Sequence, residues 1–239
     1  MIDRHAVTDA PGGPLLVERH DDRVVATLNR PAVRNAIDQA TIDALHVLCA
    51  ELEAIPRTLI LTGAGGVFAS GADIAELRER RAEDARAGIN ANAFVRISLL
   101  PMPVIAALDG YALGGGAELA YAADIRIATP ALKIGNPETG LGIIAAAGAS
   151  WRLKEIVGDA RAIELLLTGR TIGADEALEI GLVSELHPAD ELLPAAHAIA
   201  DRIARNDRAA TIATKRVYLT MILPMKSVVA GFLIRSLSP

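Results

Sequence analysis

The segment that most constrains the fold is residues 109–124, Asp-Gly-Tyr-Ala-Leu-Gly-Gly-Gly-Ala-Glu-Leu-Ala-Tyr-Ala-Ala-Asp. It follows the apolar run 104–108, which is typical of a buried strand. The three glycines 114–116 each cost about 1 kcal/mol in a helix relative to Ala, so the backbone there must need space or unusual dihedrals. From Gly116 onward the residues are small and helical. The glycines are therefore predicted at a helix N-terminus, which presents free N–H groups and the positive end of the helix dipole.

Glu118 lies three residues after Gly115, so its side chain is expected over the same face of the helix as the Gly115 amide. One short element would then offer a hydrogen-bond donor and a carboxylate to the same point in space. The alternative is that Glu118 only complements the helix dipole in the first turn and that the glycines only permit close packing.

The composition is that of a globular protein that is not specialised for nucleic acid. Of 239 residues, 51% are hydrophobic but only 3% are aromatic, so the core must consist of Ala, Leu, Ile and Val. The net charge is −5, and the 24 basic residues are scattered along the chain rather than gathered into a stripe. We therefore expect no nucleic-acid partner.

The chain shows no sign of an oxidising compartment or of a membrane span. Its single cysteine, Cys49, cannot form an intramolecular disulfide and is expected to be a small buried hydrophobe. The longest uncharged run of small and apolar residues, 141–149, is far below the ~20 residues that a spanning helix needs. The first residues contain Asp3 and Arg4 and lack the apolar region of a signal peptide. We therefore expect a cytoplasmic protein.

Strands and helices are predicted to alternate over the first 135 residues, and the remainder is mainly helical. This order predicts an α/β fold, with a core over 1–185 and a helical C-terminal region over 186–239. The predicted strands cover 15–17, 24–28, 58–62, 104–108, 125–128, 132–134 and 183–186. The predicted helices begin near Asp38, Ile74, Gly116, Trp151, Ala160, Ala174, Ala189 and Ala209, and a further helix is predicted to end at Leu100 before Pro101.

The glycine-rich loop 63–73 follows a predicted strand and precedes a predicted helix, as in dinucleotide-binding proteins. Gly63 and Gly65 match the first two fingerprint positions, but the third is occupied by Phe68 and no ribose-binding acid is evident, so that interpretation is rejected. Asp73 is expected to cap the helix that begins near Ile74. The arginines within 78–86 alternate with acids, which favours a solvated helix face over a phosphate contact.

Several ordered motifs together resemble the enoyl-CoA hydratase/isomerase (crotonase) family. The resemblance runs from about Val17 to Arg216 and is more specific than any single motif. The motifs are Asn29-Arg-Pro-x-x-x-Asn-Ala36, Phe68-Ala-Ser-Gly-Ala-Asp-Ile74, the run from Pro103 to Glu118, Asn136-Pro-Glu138, Leu165-Leu-Leu-Thr-Gly-Arg170, Ala174-x-Glu-Ala-Leu178 and Gly181-Leu-Val183.

This resemblance implies a spiral of ββα turns with a helical C-terminal region, assembled as a homotrimer or as a dimer of trimers. It also implies that the amides of Ala72 and Gly115 form an oxyanion hole for the carbonyl of an acyl-CoA thioester. The further residues that it implies for substrate binding are Arg34, Ala36, Asp73, Ile74, Gly114 and Ala146.

Glu118 and Glu138 occupy the two positions that carry the hydratase acid and base in the family that this chain resembles. Hydration needs a carboxylate that takes a proton from water and an acid that delivers one to carbon. Two carboxyls around one water repel each other when both are ionised, which favours one remaining protonated. We assign Glu138 as the base and Glu118 as the acid. The alternative for Glu138 is a solvated loop acid beside Pro137.

No metal or redox cofactor is expected, because the five histidines show no ligand spacing and coenzyme A enters as part of the substrate. The departures from the family pattern keep two other functions open. Ala146 and Ala149 place methyl groups where glycines are usual, Ala75 replaces a frequent lysine, and the tail after Arg216 ends in an apolar set around Phe232 that could pack on another subunit. The alternatives are double-bond isomerisation, or other enolate chemistry of a CoA ester, and non-catalytic acyl-CoA binding.

Overall fold

The structure, a computed structural model, describes residues 12–73, 76 and 88–219. Nine strands within these ranges form a six-stranded and a three-stranded sheet. They are β1 (Leu15–Arg19), β2 (Arg23–Leu28), β3 (Thr58–Gly63), β4 (Val104–Leu108), β5 (Tyr111–Leu113), β6 (Ile125–Ala128), β7 (Lys133–Gly135), β8 (Thr171–Gly173) and β9 (Glu185–Leu186).

The helices lie between and after these strands, and another helix covers 208–219. They are α1 (Gln39–Ala54), α2 (Ile89–Ser98), α3 (Gly115–Ala122), α4 (Lys154–Val157), α5 (Asp159–Thr168), α6 (Ala174–Glu179) and α7 (Ala189–Ala204). Three short 3-10 turns cover Pro31–Val33, Ala64–Gly66 and Pro137–Leu141, and a π turn covers Ala149–Leu153. Among the described helices, none is both long enough and apolar enough to cross a membrane.

The two sheets arise because the chain repeats the same order of elements, a strand of the large sheet, a short segment in the second layer and then a helix. The large sheet has the order β1-β2-β3-β4-β6-β9 and is parallel apart from the β1–β2 hairpin. After β4 and after β6 the chain adds a short strand to the second sheet, where β5 and β7 pair in parallel. Earlier turns add single bridges to this layer, Ile37 with Ala72 and Ala69 with Ala112. Each turn then enters a helix, which is the ββα spiral expected from the sequence.

Alternate residues of the large sheet supply two separate cores. Val24, Leu59 and Leu61 point into a cluster with α1, α2 and α3, whereas Val25 and Ile60 point to the opposite face. Helix α7 covers that opposite face with Leu192, Ala196, Ile199 and Ala200, which recur at helical spacing. The predicted boundary between 185 and 186 falls inside β9, and the C-terminal helix α7 packs directly on the sheet.

Asp38 caps helix α1, and Lys215 joins the C-terminal helix to the rest of the fold. The Asp38 carboxylate accepts a 2.8 Å hydrogen bond from the Thr41 N–H and so caps α1, as predicted. Lys215, in the helix over 208–219, donates to the Asp124 carboxylate at 2.7 Å and to the Met102 carbonyl at 3.1 Å. The start of β4 is thereby joined to the C-terminal helix.

The α/β class and the helical C-terminal region predicted from the sequence are confirmed. All seven predicted strands are present, within about two residues of their predicted ends. Two elements were not predicted, β5 and β8, and each has only three residues. Helix α3 begins at Gly115 rather than Gly116, so Gly115 supplies its first free N–H. The predictions for the C-terminal tail after 219, for Ala75 and for the arginines within 78–86 lie outside the described residues.

Candidate active site

Glu118 lies in the first turn of α3 and is buried, with 4% of its surface exposed. Its Oε1 atom accepts hydrogen bonds from the Ala147 N–H at 2.7 Å and the Ala149 N–H at 3.1 Å. Burial, together with the charge of Glu138, raises its pKa to about 7 against the opposing effect of the backbone amides. Glu118 is therefore a carboxyl that can hold a proton near neutral pH.

Glu138 lies in the 3-10 turn that follows β7 and is also buried, with 7% of its surface exposed. Its Oε1 atom lies 3.4 Å from the Asn136 Nδ2 atom. Its Oε2 atom is buried and has no hydrogen-bond partner among the described residues. Burial raises the pKa of Glu138 above its usual range. A buried carboxylate oxygen without a partner is costly unless a ligand or a water satisfies it.

Ala72 and Gly115 are close neighbours in the structure. A Cβ atom built on Gly115 would be 3.4 Å from the Ala72 nitrogen. Ala72 sits in a bridge with Ile37 in which the Gly71 carbonyl and the Asp73 amide make the hydrogen bonds, and Gly115 is the first residue of α3. Neither amide donates to another backbone group within the described part of the chain. Two adjacent free donors of this kind suit an oxygen that carries negative charge.

Two glycines allow α3 to approach the loop that carries Ala72. A Cβ atom on Gly116 would lie 2.3 Å from the Ala69 carbonyl oxygen, so only glycine permits this packing. Gly114 has φ +50° and ψ −122°, and a Cβ there would lie 3.1 Å from the Glu138 Oε1 atom. The glycine run therefore brings the amide pair and both carboxyls into one small region.

Asn136 and Tyr121 complete the surroundings of Glu138. The buried Tyr121 hydroxyl donates to the Asn136 Oδ1 atom at 3.0 Å. The Asn136 amide nitrogen lies 3.4 Å from both the Gly114 carbonyl and the Glu138 Oε1 atom. These contacts connect the core side of α3 to the loop that carries Glu138.

A small pocket lies beside Glu118, between α2 and the π turn. Its lining includes the aromatic residues Trp151 and Phe94 and the basic residue Arg152. The Arg152 Nε atom donates to the Tyr121 carbonyl at 3.0 Å, which holds the π turn against α3. Among the described residues, the rest of the lining is Val95, Ser98, Glu118, Ala122, Ala147 and Gly148.

Three of the other residues that the sequence suggested for substrate binding lie around the segment that carries Ala72. Arg34 is exposed, and its carbonyl accepts the Ser70 N–H at 3.0 Å, while the Ala36 carbonyl accepts from Arg30 at 2.6 Å. Asp73 forms an ion pair with Arg30 at 3.1 Å. Arg34, Ala36 and Asp73 therefore flank the segment that carries the Ala72 amide. Ile74 lies outside the described residues.

Ala146 and Ala149 occupy contrasting environments. Ala146 is exposed and does not line the pocket beside Glu118, whereas Ala149 is fully buried in the larger core. The methyl group of Ala149 therefore packs in the core, and its amide faces Glu118. Within the described ranges, no group of three His, Cys, Asp or Glu side chains could hold a metal ion.

Sequence reasoning missed the groups that support the two glutamates. The Ala147 and Ala149 amides hold Glu118 from 29 and 31 residues away, and no local pattern reports such contacts. Tyr121 and Asn136 could have been proposed from the sequence, since each is a polar residue within three positions of a predicted catalytic glutamate.

Comparison with known proteins places this arrangement in a family. Residues 20–226 match the family described as Enoyl-CoA hydratase/isomerase. The short-chain-enoyl-CoA hydratase of Clostridium acetobutylicum is 42% identical over 197 residues, which cover 80% of this chain and 76% of that protein.

Solved structures show the same fold. An enoyl-CoA hydratase from Bacillus anthracis superposes with a TM-score of 0.82 at 35% identity, covering 94% of this chain and 92% of that one. A Thermobifida fusca protein solved in complex with CoA has a TM-score of 0.81 at 30% identity, covering 87% and 85%. The extent of the sequence match and the shared fold lead to one conclusion, that this chain belongs to the enoyl-CoA hydratase/isomerase family.

Proposed function

We propose that this protein is an enoyl-CoA hydratase, which adds water across the 2,3 double bond of a 2-enoyl-CoA thioester. The observation that carries the proposal is the convergence of two buried glutamates on a pair of free amides. Glu118 and Glu138 interact electrostatically, and the first turn of α3 contains both Glu118 and the Gly115 amide. The activity named for the Clostridium acetobutylicum relative supports the same reaction.

The Ala72 and Gly115 amides form the oxyanion hole in this proposal. Attack of water at C3 moves an electron pair through C2 onto the thioester oxygen, which becomes an enolate oxygen. Two fixed N–H donors stabilise that charge more than they stabilise the neutral carbonyl, and each contributes a factor of about 10² to 10³ in rate. Because neither amide has a backbone partner among the described residues, no such hydrogen bond must break before the substrate binds.

Glu138 is the general base. Its Oε2 atom has no hydrogen-bond partner among the described residues, so it can accept a hydrogen bond from the attacking water. As the water oxygen bonds to C3, one proton passes to the Glu138 carboxylate.

Glu118 is the general acid, because its pKa of about 7 lets it keep a proton near neutral pH. Its Oε1 atom already accepts two amides, so the proton resides on Oε2. That proton passes to C2 of the enolate as the thioester carbonyl re-forms. Proton exchange with solvent then restores both carboxyls for the next cycle.

The substrate is proposed to be an acyl-CoA thioester, and the reaction needs no further cofactor. The CoA complex of the Thermobifida fusca structure supports coenzyme A as the carrier group. Hydration leaves the oxidation state of the molecule unchanged overall, and protein groups supply the base, the acid and the oxyanion donors. Coenzyme A therefore enters only as part of the substrate.

The experiment is a hydration assay with the purified protein in buffer that contains EDTA. Loss of the conjugated thioester absorbance of crotonyl-CoA and of longer 2-enoyl-CoAs measures turnover. We expect Glu118→Gln and Glu138→Gln each to reduce kcat by about 10²- to 10⁴-fold, because each removes a group that transfers a proton in the transition state. Acyl-CoA binding should be retained, since both substitutions preserve side-chain shape.

The exposed Glu179→Gln provides a matched control with the same chemical change, and its kcat should equal that of the wild type. Absence of turnover with every 2-enoyl-CoA would contradict the proposal. Product analysis from a 3-enoyl-CoA identifies isomerisation, and tight acyl-CoA binding without turnover identifies a binding protein.

We also propose a homotrimer, or a dimer of trimers, in the cytoplasm. Exposed apolar side chains occur together around the Glu138 turn and on the adjoining helix α5, where Leu141 is 69% and Leu167 is 70% exposed. Ile144 and Ile163 extend the same set. A patch of this kind on two packed elements supports burial against another subunit. The single cysteine supports a reducing, cytoplasmic location.

A further inference from the structure

Behind Glu138 lies a hydrogen-bond chain that the proposed reaction does not yet use. It runs from the Tyr121 hydroxyl to the Asn136 side chain at 3.0 Å, and from the Asn136 amide nitrogen to the Glu138 Oε1 atom at 3.4 Å. All three residues are buried, with Tyr121 only 1% exposed. Buried polar groups of this kind are costly unless every member has a partner, so the orientation of each matters.

The acceptors around Asn136 determine which way its amide points. The Gly114 carbonyl can only accept, and an ionised Glu138 carboxylate can only accept, so the NH2 group must face both of them. The Asn136 carbonyl oxygen then faces Tyr121, which must donate. Burial raises the pKa of Tyr121, so its hydroxyl keeps its proton and remains a donor.

We propose that Tyr121 is a positioning residue that acts through Asn136 to hold Glu138 with Oε1 bound and Oε2 free for the attacking water. Without the hydroxyl, the buried Asn136 Oδ1 atom loses its donor, and only the Gly114 carbonyl and the Glu138 carboxylate still orient the amide. The amide is then held on one side only, so its 3.4 Å N–H contact to Glu138 weakens, and a flip would place its carbonyl oxygen against the carboxylate. The inference rests on the hydratase proposal and specifies how its base is held.

The same residue contacts the surroundings of Glu118 through a different group. The Tyr121 carbonyl accepts from Arg152, at the end of the π turn whose start supplies the Ala149 amide to Glu118. Replacement of Tyr121 by Phe removes the hydroxyl and leaves this backbone contact in place. Tyr121→Phe therefore disturbs Glu138 alone, and keeps the aromatic ring in the core.

The experiment measures the pH dependence of hydration for Tyr121→Phe. We expect kcat to fall about 10-fold, the size of one lost hydrogen bond to a charge-bearing network, with KM changed by less than about twofold. A weaker Asn136 N–H contact disfavours ionised Glu138, so the acid limb of the kcat profile should move to higher pH. The alkaline limb, which reports Glu118, should stay in place. Tyr111→Phe is the matched control, since Tyr111 is 45% exposed.

A double-mutant cycle tests whether Tyr121 acts through Asn136. Asn136→Leu removes the amide altogether and should move the acid limb in the same direction. If the two residues act in one chain, Tyr121→Phe should cost little more in the Asn136→Leu background. Equal losses in both backgrounds would overturn the proposal, as would an unchanged acid limb in Tyr121→Phe. Should Tyr121→Phe fail to fold, the acid limb of Asn136→Leu decides the role of the chain.

The two proposals fail in different ways. Wild-type turnover together with the loss in Glu138→Gln tests the hydratase assignment. If both hold while Tyr121→Phe behaves like Tyr111→Phe, only the positioning role is wrong.

Discussion

Glu118 shows how the position of a single residue couples catalysis to stability. Its pKa rises from 4.5 to about 7 on burial in the first turn of α3. The folded state therefore binds the proton more tightly than the unfolded state does, and the free energy of unfolding decreases as pH rises through this window. The decrease from this group amounts to about 3 kcal/mol between pH 4.5 and pH values above 7. A carboxyl suited to donate a proton is thus a destabilising group at alkaline pH.

The corresponding prediction concerns Glu118→Gln, which cannot ionise and keeps an oxygen for the Ala147 and Ala149 amides. At pH 8 its free energy of unfolding should exceed that of the wild type by up to about 3 kcal/mol, and near pH 4 the two should agree. Urea denaturation at a fixed protein concentration measures both values. The same difference at both pH values would contradict the argument, and Glu179→Gln should show no difference at either.

The sequence singled out Glu118 and Glu138, whose catalytic roles stay predictions, but not the groups that contact them. Glu118 was identifiable because it follows a glycine run at helical spacing, and Glu138 because it falls in a motif with Asn136 and Pro137. The amides that hold Glu118 come from a π turn about 30 residues later in the chain. Such contacts depend on how the turns of the spiral stack, which no local spacing encodes.

At the scale of elements, the packing of α3 on the loop before Ala72 creates the amide pair. Gly116 lets the helix approach the Ala69 carbonyl to a distance that no side chain allows. Long apolar strands such as β4 could be predicted from their continuous hydrophobic runs. The strands β5 and β8 could not be predicted. Each is followed directly by Gly or by a helix and has only three residues, which is too short for the alternation of apolar and polar residues to show. They form because the neighbouring turn of the spiral offers free backbone groups.

Gly116→Ala tests the role of this close approach. Its methyl group would lie 2.3 Å from the Ala69 oxygen, so α3 must shift, and the free energy of unfolding should fall by about 2 to 3 kcal/mol. Hydration should fall as well, because the shift separates Gly115 from Ala72. Gly140→Ala is the control for stability, since a Cβ there meets nothing within 4 Å. Chemical denaturation compares the two, and an equal effect would contradict the packing argument.

At the scale of the whole molecule, the spiral leaves apolar side chains on its outer surface. The exposed pair Ile163 and Leu167 lies one turn apart on α5, and Leu141 belongs to the 3-10 turn that packs beside it. The family and the ββα fold could be predicted because several motifs occur in the right order along the chain, and both are confirmed. The assembly remains a prediction, because a surface becomes an interface only when a partner complements it.

Leu167→Glu tests the proposed assembly. A charge buried between subunits without a partner would weaken association, so the variant should show a lower mass in solution than the wild-type trimer or hexamer. Light scattering coupled to size-exclusion chromatography measures the mass. Ile55→Glu, at another site that is 59% exposed, should leave it unchanged. A monomeric wild type, or an unaltered mass for Leu167→Glu, would contradict the proposal.

The position of Trp151 gives the protein a natural optical probe. The chain has one tryptophan, and its indole lines the pocket beside Glu118. Tryptophan emission from the native chain therefore originates from a residue that lines the same pocket as the proposed acid. Filling or emptying of that pocket can be followed by fluorescence in unlabelled protein, without a coupled enzyme or a chromogenic ligand.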